Sequence, residues 1–341
     1  MNTEKTTRCL LCGHTAELTY KNHPGYISSQ TFDIYHCKEC NTSFSLPQID
    51  ASKTYDFIYK NVKLVPGYER YSIYKNSIIN EKYPLEFLSD AEDTYWGVKE
   101  SLSKLNIDRS SSKILEVGSG LGYLTYSLIK EKYDVTGIDI SQTAVNEANR
   151  FFGNYYMCKD VNEYASETTQ KYDIIILTEV IEHIVSPLPF LKSIKKLLNE
   201  YGKIILTTPN KSIYPDEVVW DTDLPPVHFW WFSEQSLKYI ADVLDLNIKF
   251  VNFENYYKDH YADVRIKNAI RQSIVSTDYK INNPKRNNAL KKILSKKMPY
   301  LKRQYRKIKI ALCKNIYICG EKGVTMCAIM TMKDIQKEKH K

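Results

Sequence analysis

No stretch of this chain holds the ~18 uninterrupted apolar residues of a membrane-spanning helix, although 43% of its residues are hydrophobic. The opening residues MNTEKTTRCLLCGH lack the apolar run of an export signal, so the expected location is cytoplasmic. Arginine is scarce, 9 residues against 39 lysines, a bias an AT-rich genome produces unaided and therefore weak support for a nucleic-acid partner. Glycine is scarce too. Of only 12 glycines, three fall within five positions, Gly118, Gly120 and Gly122. No Gly-Lys-Ser/Thr completes a phosphate-binding loop there, and Tyr123 stands where a dinucleotide fingerprint needs glycine. Both absences turn the reading away from nucleotide phosphates.

What is present begins with alternation. KILEV, DVTGIDI, YYMCKD, YDIIILTEV, GKIILTTPN and NIKFVNFEN read as strands, with helices between them. YDIIILTEV is nearly continuous in apolar residues, as a strand buried on both faces is. Ser141 and Ser233 precede helical runs as N-caps. The pattern predicts an α/β fold with a doubly wound parallel sheet. NIYICGEKGVTMCAIMTMK reads as two further strand halves around a glycine turn.

Ligands of such sheets bind beyond the carboxyl ends of the strands, where the first strand-to-helix turn lies. Glycines there let backbone approach a ligand. Glu116, two residues before Gly118, would repel a pyrophosphate but suits a cation. Asp139 ends the second strand, placed to accept ribose hydroxyls, and Asp160, past the third strand, is placed for an adenine edge. A nucleoside with a positive centre and no phosphate satisfies all three.

The stretches LEVGSGLG, GIDIS, KDV, ILTEVIEHI, TTPN and PPVHFWWFSEQSLKYI resemble those of class I S-adenosylmethionine-dependent methyltransferases. The resemblance implies a Rossmann-like sheet of seven strands, the last antiparallel, and S-adenosyl-L-methionine as cofactor. It places Glu116, Gly118, Ser119, Gly120 and Gly122 at the cofactor's methionine end, Asp139 and Ile140 at the ribose, Asp160 and Val161 at the adenine, and Thr178 and Glu179 at the fourth strand's end. Glu182, His183 and His228 are candidate catalytic residues, since an imidazole suits base work near neutral pH. Glu182 and His183 are equally read as groups that close a turn by hydrogen bonding. His228 lies in a loop of the kind that carries catalytic groups. Trp230, Trp231 and Phe232 beside it read as packing.

Cys9, Cys12, Cys37 and Cys40 form two C-x-x-C knuckles. Four thiolates satisfy a tetrahedral Zn2+ and leave no open position, so the expected ion is structural. Iron and a redox dithiol are the alternatives, and His14 and His36 are possible substitute ligands. The other cysteines (Cys158, Cys313, Cys319 and Cys327) follow no such spacing.

The formal net charge is +8, unevenly placed. Residues 265–309 hold fifteen Lys/Arg and one acid, a local +14 that leaves the remainder at −6. Leu301, Tyr305, Ile308 and Leu312 share a helical face, which predicts a basic amphipathic helix. It suits an anionic membrane surface through 284–312, RNA phosphates, or docking on its own domain. The expected organisation is a zinc-ribbon-like module at 1–50, a helical tyrosine-rich connector at 51–105, a methyltransferase domain at 106–335 with the basic insertion at about 262–312, and a polar tail at 336–341. The expected acceptor is a sugar, glycan-linked or carrier-linked, or a small hydroxylated metabolite. RNA is the rival acceptor, a non-catalytic nucleoside-binding module the rival class, and peripheral contact with the inner membrane face the rival to a free cytoplasmic location.

Overall fold

The computed structural model describes residues 5–105, 107–109, 111–216, 224–260, 263–265, 272–282 and 316–333. The basic helix expected at 284–312, including Leu301, Tyr305, Ile308 and Leu312, lies outside the described residues.

Strands β1 (Thr6–Arg8), β2 (Thr15–Pro24), β3 (Thr31–Cys37) and β4 (Thr42–Leu46) form an antiparallel N-terminal module. Four helices follow: α1 (Ser52–Lys60), α2 (Glu69–Ser77), α3 (Pro84–Ala91) and α4 (Asp93–Leu105). The α/β unit then runs β5 (Lys113–Val117), α5 (Tyr123–Lys130), β6 (Asp134–Asp139), α6 (Gln142–Phe152), β7 (Tyr156–Cys158), α7 (Val161–Glu167), β8 (Tyr172–Thr178), α8 (Pro187–Leu197) and β9 (Leu198–Pro209). It closes with β10 (Trp230–Trp231), α9 (Glu234–Val243), β11 (Leu246–Phe250), α10 (Glu254–Asp259), β12 (Asp263–Arg265), β13 (Ile316–Ile318) and β14 (Thr325–Met332).

The large sheet has seven strands in the order β11-β14-β9-β8-β5-β6-β7. β5 to β9 pair in parallel, and β14 inserts antiparallel between β9 and β11. Its central strand β8 is buried at Ile174, Ile175, Ile176 and Leu177, which explains its unbroken apolar run: helices cover both faces. Helix starts follow the capping chemistry of the sequence. Ser141 Oγ accepts from the Ala144 N–H at 3.2 Å, and Ser233 and Ser236 form a capping box.

Two arrangements go beyond the sequence expectation. The strand halves of NIYICGEKGVTMCAIMTMK do not pair with each other. β13 pairs with β12, while β14 enters the large sheet. The long-range partner β9 offers seven registered positions, more than a local hairpin of three-residue β13 can. The N-terminal module also takes a fifth strand from far along the chain: Trp230 pairs with Phe44 and Trp231 with Ser43. Cys37, Cys40 and Phe44 therefore share one buried cluster with Phe229, Trp230, Leu237 and Ile240. Thr42 Oγ1 donates to Ser236 Oγ at 2.6 Å, and the Cys40 and Asn41 carbonyls, 3.1 and 3.0 Å from Ser236 Oγ, share its single proton. With the contacts of Ser43 Oγ to His36 Nδ1 and of Ser45 Oγ to the Phe229 carbonyl, these bonds satisfy the polar residues of β4, whose burial neither apolar content nor alternation accounts for.

Candidate active site

A cavity of about 350 Å³ opens at the carboxyl ends of β5, β6 and β8, the edge where ligands of such sheets bind. Of the fourteen residues named above for cofactor and catalysis, thirteen line it: Glu116, Gly118, Ser119, Gly120, Asp139, Ile140, Asp160, Val161, Thr178, Glu179, Glu182, His183 and His228. Gly122 does not. It starts α5 with φ +82°, and a Cβ there would lie 2.7 Å from Ala148 and Tyr156. Gly118, at φ +77°, brings backbone so close to the β8 turn that a Cβ would stand 2.5 Å from Val180 Cγ2. Only glycine meets both demands.

Asp139 is 6% exposed. Its Oδ2 accepts from the Gly120 N–H and its Oδ1 from the Ser141 N–H, both at 2.8 Å. The carboxylate thus pins the glycine loop to the end of β6. Burial raises its pKa, against the two N–H bonds that lower it. Glu116 is 2% exposed and accepts from the Thr125 hydroxyl; burial pushes its pKa up to about 8. Glu179 stands at φ +53°, an uncommon conformation for a side-chain-bearing residue. Burial, then the neighbouring Asp93, pushes its carboxyl up to about 8. Buried carboxyls held near neutrality favour a ligand that supplies positive charge. At the mouth, Ile140 is 70% exposed, an apolar plate on a cavity wall. Ser119 Oγ is buried with no hydrogen-bond partner among the described residues. Asp160 caps α7, its Oδ1 accepting from the Asn162 and Glu163 N–H groups at 2.7 and 3.2 Å. These features fit a cationic nucleoside: diol acceptor, apolar plate, a backbone loop without Cβ atoms, and carboxyls poised to ionise.

At the other end, His183 Nδ1 lies 2.6 Å from the Val227 carbonyl. A carbonyl only accepts, so Nδ1 carries the proton and Nε2 bears the lone pair. Nε2 stands 3.8 Å from Glu182 Oε1. The Glu182 carboxyl is 1% exposed and takes the Thr208 hydroxyl at 2.9 Å. The rings of His183 and His228 are edge-on at 4.4 Å. His228 is 3% exposed, and burial drives its pKa down to about 3, so it stays neutral across the physiological range. The ligating atoms of Glu182, His183 and His228 lie within 4.8 Å of one another.

The connector contributes more than its sequence promised. Tyr55, Ile58 and Tyr59 occupy one face of α1 at i, i+3 and i+4 and line the cavity. A Cβ built on Gly120 would stand 3.6 Å from the Tyr59 hydroxyl, which places Tyr59 directly over the glycine loop. Tyr55 donates to the Val227 carbonyl at 2.9 Å. Arg70 enters from α2, its Nε 2.6 Å from Glu92 Oε1 and its guanidinium over the Tyr71 ring at 4.5 Å. Glu92, Tyr95 and Tyr123 complete that wall. The signal was the tyrosine density of 51–105; its pairing with a remote loop has no local signature. Trp96, next to Tyr95 in α4, packs on Phe253 and Tyr256.

The four knuckle cysteines converge. Cys9 and Cys40 Sγ are 3.7 Å apart, Cys12 and Cys37 Sγ 3.5 Å, and all four lie within 4.8 Å. Tetrahedral coordination at ~2.3 Å sets sulfur–sulfur separations of about 3.8 Å, so the cluster fits one ion. A hydrogen bond from Cys40 lowers the Cys9 thiol to about 5, and burial raises Cys12 to about 11. His36 is turned away, bonding Ser43 Oγ through Nδ1 at 3.0 Å, and His14 is exposed.

Residues 95–249 match a family model described as a methyltransferase domain. The chain is 27% identical over 150 residues to the ubiquinone biosynthesis O-methyltransferase of Coxiella burnetii, covering 39% of this chain and 64% of that protein. It is 30% identical over 106 residues to that of Vibrio vulnificus, covering 30% and 45%. The chain spans less than two thirds of the length of these relatives. A SAM dependent methyltransferase structure from Archaeoglobus fulgidus aligns over 69% of this chain and 92% of its own, with a TM-score of 0.40 and 15% identity.

Proposed function

We propose that this chain, which carries a methyltransferase domain, transfers a methyl group from S-adenosylmethionine to a hydroxyl of a sugar or small hydroxylated metabolite, and that Cys9, Cys12, Cys37 and Cys40 hold a structural zinc ion. The observation that carries the reading is one cavity with a glycine loop and buried carboxyls at one end and a tautomer-fixed imidazole at the other. When bound, the cofactor supplies an activated methyl on a sulfonium.

Everything else falls to the chain's own side chains. Asp139 accepts the ribose hydroxyls while holding the Gly120 loop. Ile140 covers the adenine face, and Asp160 offers its second carboxylate oxygen to the adenine edge. Arg70, paired with Glu92 on a tyrosine-rich wall, takes the cofactor's carboxylate. Glu116 and Glu179 ionise toward the cationic end. His183 Nε2 accepts the acceptor's hydroxyl proton as the oxygen attacks. The Val227 carbonyl fixes the tautomer, and Glu182 stabilises the imidazolium that forms. His228, held neutral, positions His183 rather than taking the proton. Tyr55 and Tyr59 cover the cavity and keep water from it, offering ring faces and hydroxyls to a small polyhydroxylated body.

An oxygen acceptor is supported by the fixed general base, which an amine acceptor needs less, and by the O-methyltransferase names of the curated relatives. Isothermal titration with S-adenosylhomocysteine tests the cofactor, with one site per chain expected. Elemental analysis tests zinc, with one ion per chain expected. Mass spectrometry of glycans, small metabolites and RNA from cells with and without the protein tests the acceptor; a methyl mark lost from RNA alone overturns the assignment. Absence of cofactor binding leaves the non-catalytic reading in its place.

A further inference from the structure

We infer that the N-terminal four-cysteine module is a working part of the acceptor site: it holds residues 224–231 against the catalytic turn, so that its metal occupancy governs acceptor-side geometry and leaves the cofactor side intact. The inference rests on the zinc and methyl-transfer reading above.

The short segment Pro225–Trp231 is gripped along both edges. On one edge, the Tyr26 N–H donates to the Pro225 carbonyl at 2.6 Å and the Ser45 N–H to the Phe229 carbonyl at 2.9 Å. Trp230 and Trp231 continue as a strand on Phe44 and Ser43. All four module residues lie between or beside the knuckles. On the other edge, the Val227 carbonyl receives His183 Nδ1 and the Tyr55 hydroxyl. The Phe229 N–H donates to the Glu182 carbonyl at 3.0 Å, and Trp230 Nε1 donates to the Ile184 carbonyl at 2.8 Å. One segment, a turn closed by the Val227 N–H on the Leu224 carbonyl at 2.9 Å that runs on into the strand at Trp230, therefore links module to base, with Val227 setting the His183 tautomer and His228 packing its ring.

The metal ligands sit where this grip is anchored. Cys37 ends β3 opposite Thr42, the first residue of β4, and Cys40 lies in the hairpin between them. An ion at the cluster fixes that hairpin, and β4 presents Phe44 to Trp230 with the rings 5.8 Å apart. A ribbon this small, with little core of its own, owes its order to the ion. The cofactor end meets the module at one remove, through Ile58 of α1, which shares a buried cluster with Tyr26 and Ile27. Asp139 bonds Gly120 of the preceding β-turn-α unit and Ser141 of its own, and among the described residues none of 5–50 lines the cavity. Tyr26, Ser43, Phe44 and Ser45 are thus positioning residues that act through the 224–231 segment.

The test uses the full chain, as purified and after zinc removal by a chelator, with zinc content measured in each sample. Amide hydrogen exchange is followed at 224–231 and at 118–122, and S-adenosylhomocysteine affinity by calorimetry. Removal of zinc is expected to speed exchange at 224–231 by about tenfold or more, with exchange at 118–122 and affinity changed by less than about twofold. Unchanged exchange at 224–231 overturns the inference. So does loss of protection and affinity together at the cofactor end, which makes the module a global stabiliser only. Phe44→Ala, with zinc retained, is expected to reproduce the pattern, faster exchange at 224–231 with S-adenosylhomocysteine affinity unchanged. Thr42→Val, which removes the hydroxyl that bonds Ser236 and contacts Cys40, replaces it, again with zinc retained, should Phe44→Ala not fold. If no zinc is found, the metal reading fails, and these variants decide the module's role alone: unchanged 224–231 exchange in both overturns it.

Discussion

The two ends of the cavity are built on different principles. The cofactor end comes from consecutive β-turn-α units, so Asp139 reaches its partners Gly120 and Ser141 within 19 and 2 residues. The acceptor end is assembled from distant segments. His183 bonds Val227 across 44 residues, Tyr55 bonds the same carbonyl across 172, and Thr42 reaches Ser236 across 194. Local construction gives one end a geometry that the sheet itself enforces. Remote construction leaves the other end dependent on the connector, on the four-cysteine module and on the loop they clamp. A methyl-transfer scaffold that keeps its cofactor end while changing its acceptor end changes substrate without rebuilding its sheet.

The sharpest way to break this comparison is His183→Ala. Loss of the proton acceptor proposed above should lower kcat by about 10²–10⁴-fold, with S-adenosylhomocysteine affinity unchanged in calorimetry; a parallel loss of affinity would show the two ends to be one unit. The reciprocal change, Asp139→Asn, keeps the shape and removes the charge that assists two backbone bonds. At about 1.5–3 kcal/mol for such a bond, cofactor Kd should rise about 10–100-fold, while kcat at saturating cofactor stays near that of the unaltered protein. Gly118→Ala puts a methyl 2.5 Å from Val180 Cγ2 at a left-handed φ. The cost should be about 1–3 kcal/mol of stability, read in denaturant unfolding.

The smallest effect expected is on pH dependence. Glu116 and Glu179 both have folded pKa values raised from 4.5 to about 8 by burial. Their neutral forms therefore favour the folded, ligand-free state. That contribution is full below pH 4.5 and is lost as pH rises through about 8. A sulfonium favours the ionised forms, so binding S-adenosylmethionine near pH 7 should release protons. Calorimetry in buffers of different ionisation enthalpy measures that release. Preference for the charged cofactor over neutral S-adenosylhomocysteine should grow between pH 5 and 8, by at most about tenfold per unit of pKa shift. A pH-independent ratio would separate these two carboxyls from the cationic centre.

The legibility of the molecule follows the same division. Strand runs such as YDIIILT, the Ser141 and Ser233 caps, the three glycines and the acids at strand ends carry local signals, because period, cap and turn are properties of a few adjacent residues. The knuckles were equally plain, since C-x-x-C closes a turn by itself. Tyr59 and Arg70 carried no signal beyond a tyrosine-rich composition, because the loop that Tyr59 covers is 61 residues away at Gly120 and the cavity Arg70 enters exists only in the folded chain. His228 read as a catalytic candidate, yet its burial and its edge-on contact with His183 are facts of packing. The swap by which β14 rather than β13 completes the large sheet was likewise a competition between partners, which no single segment encodes.

By itself, then, the sequence determined the α/β alternation, the bare glycine loop with Glu116 and Asp139 around it, and a four-thiolate cluster, each a consequence of near neighbours. The tertiary structure alone decided that β4 would adopt Trp230–Trp231 as its neighbour, that Tyr55 and Tyr59 would roof the cavity, and that the Val227 carbonyl would fix the proton on His183 Nδ1. Those outcomes depend on which distant surfaces bury one another best, and burial is a property of the folded chain as a whole.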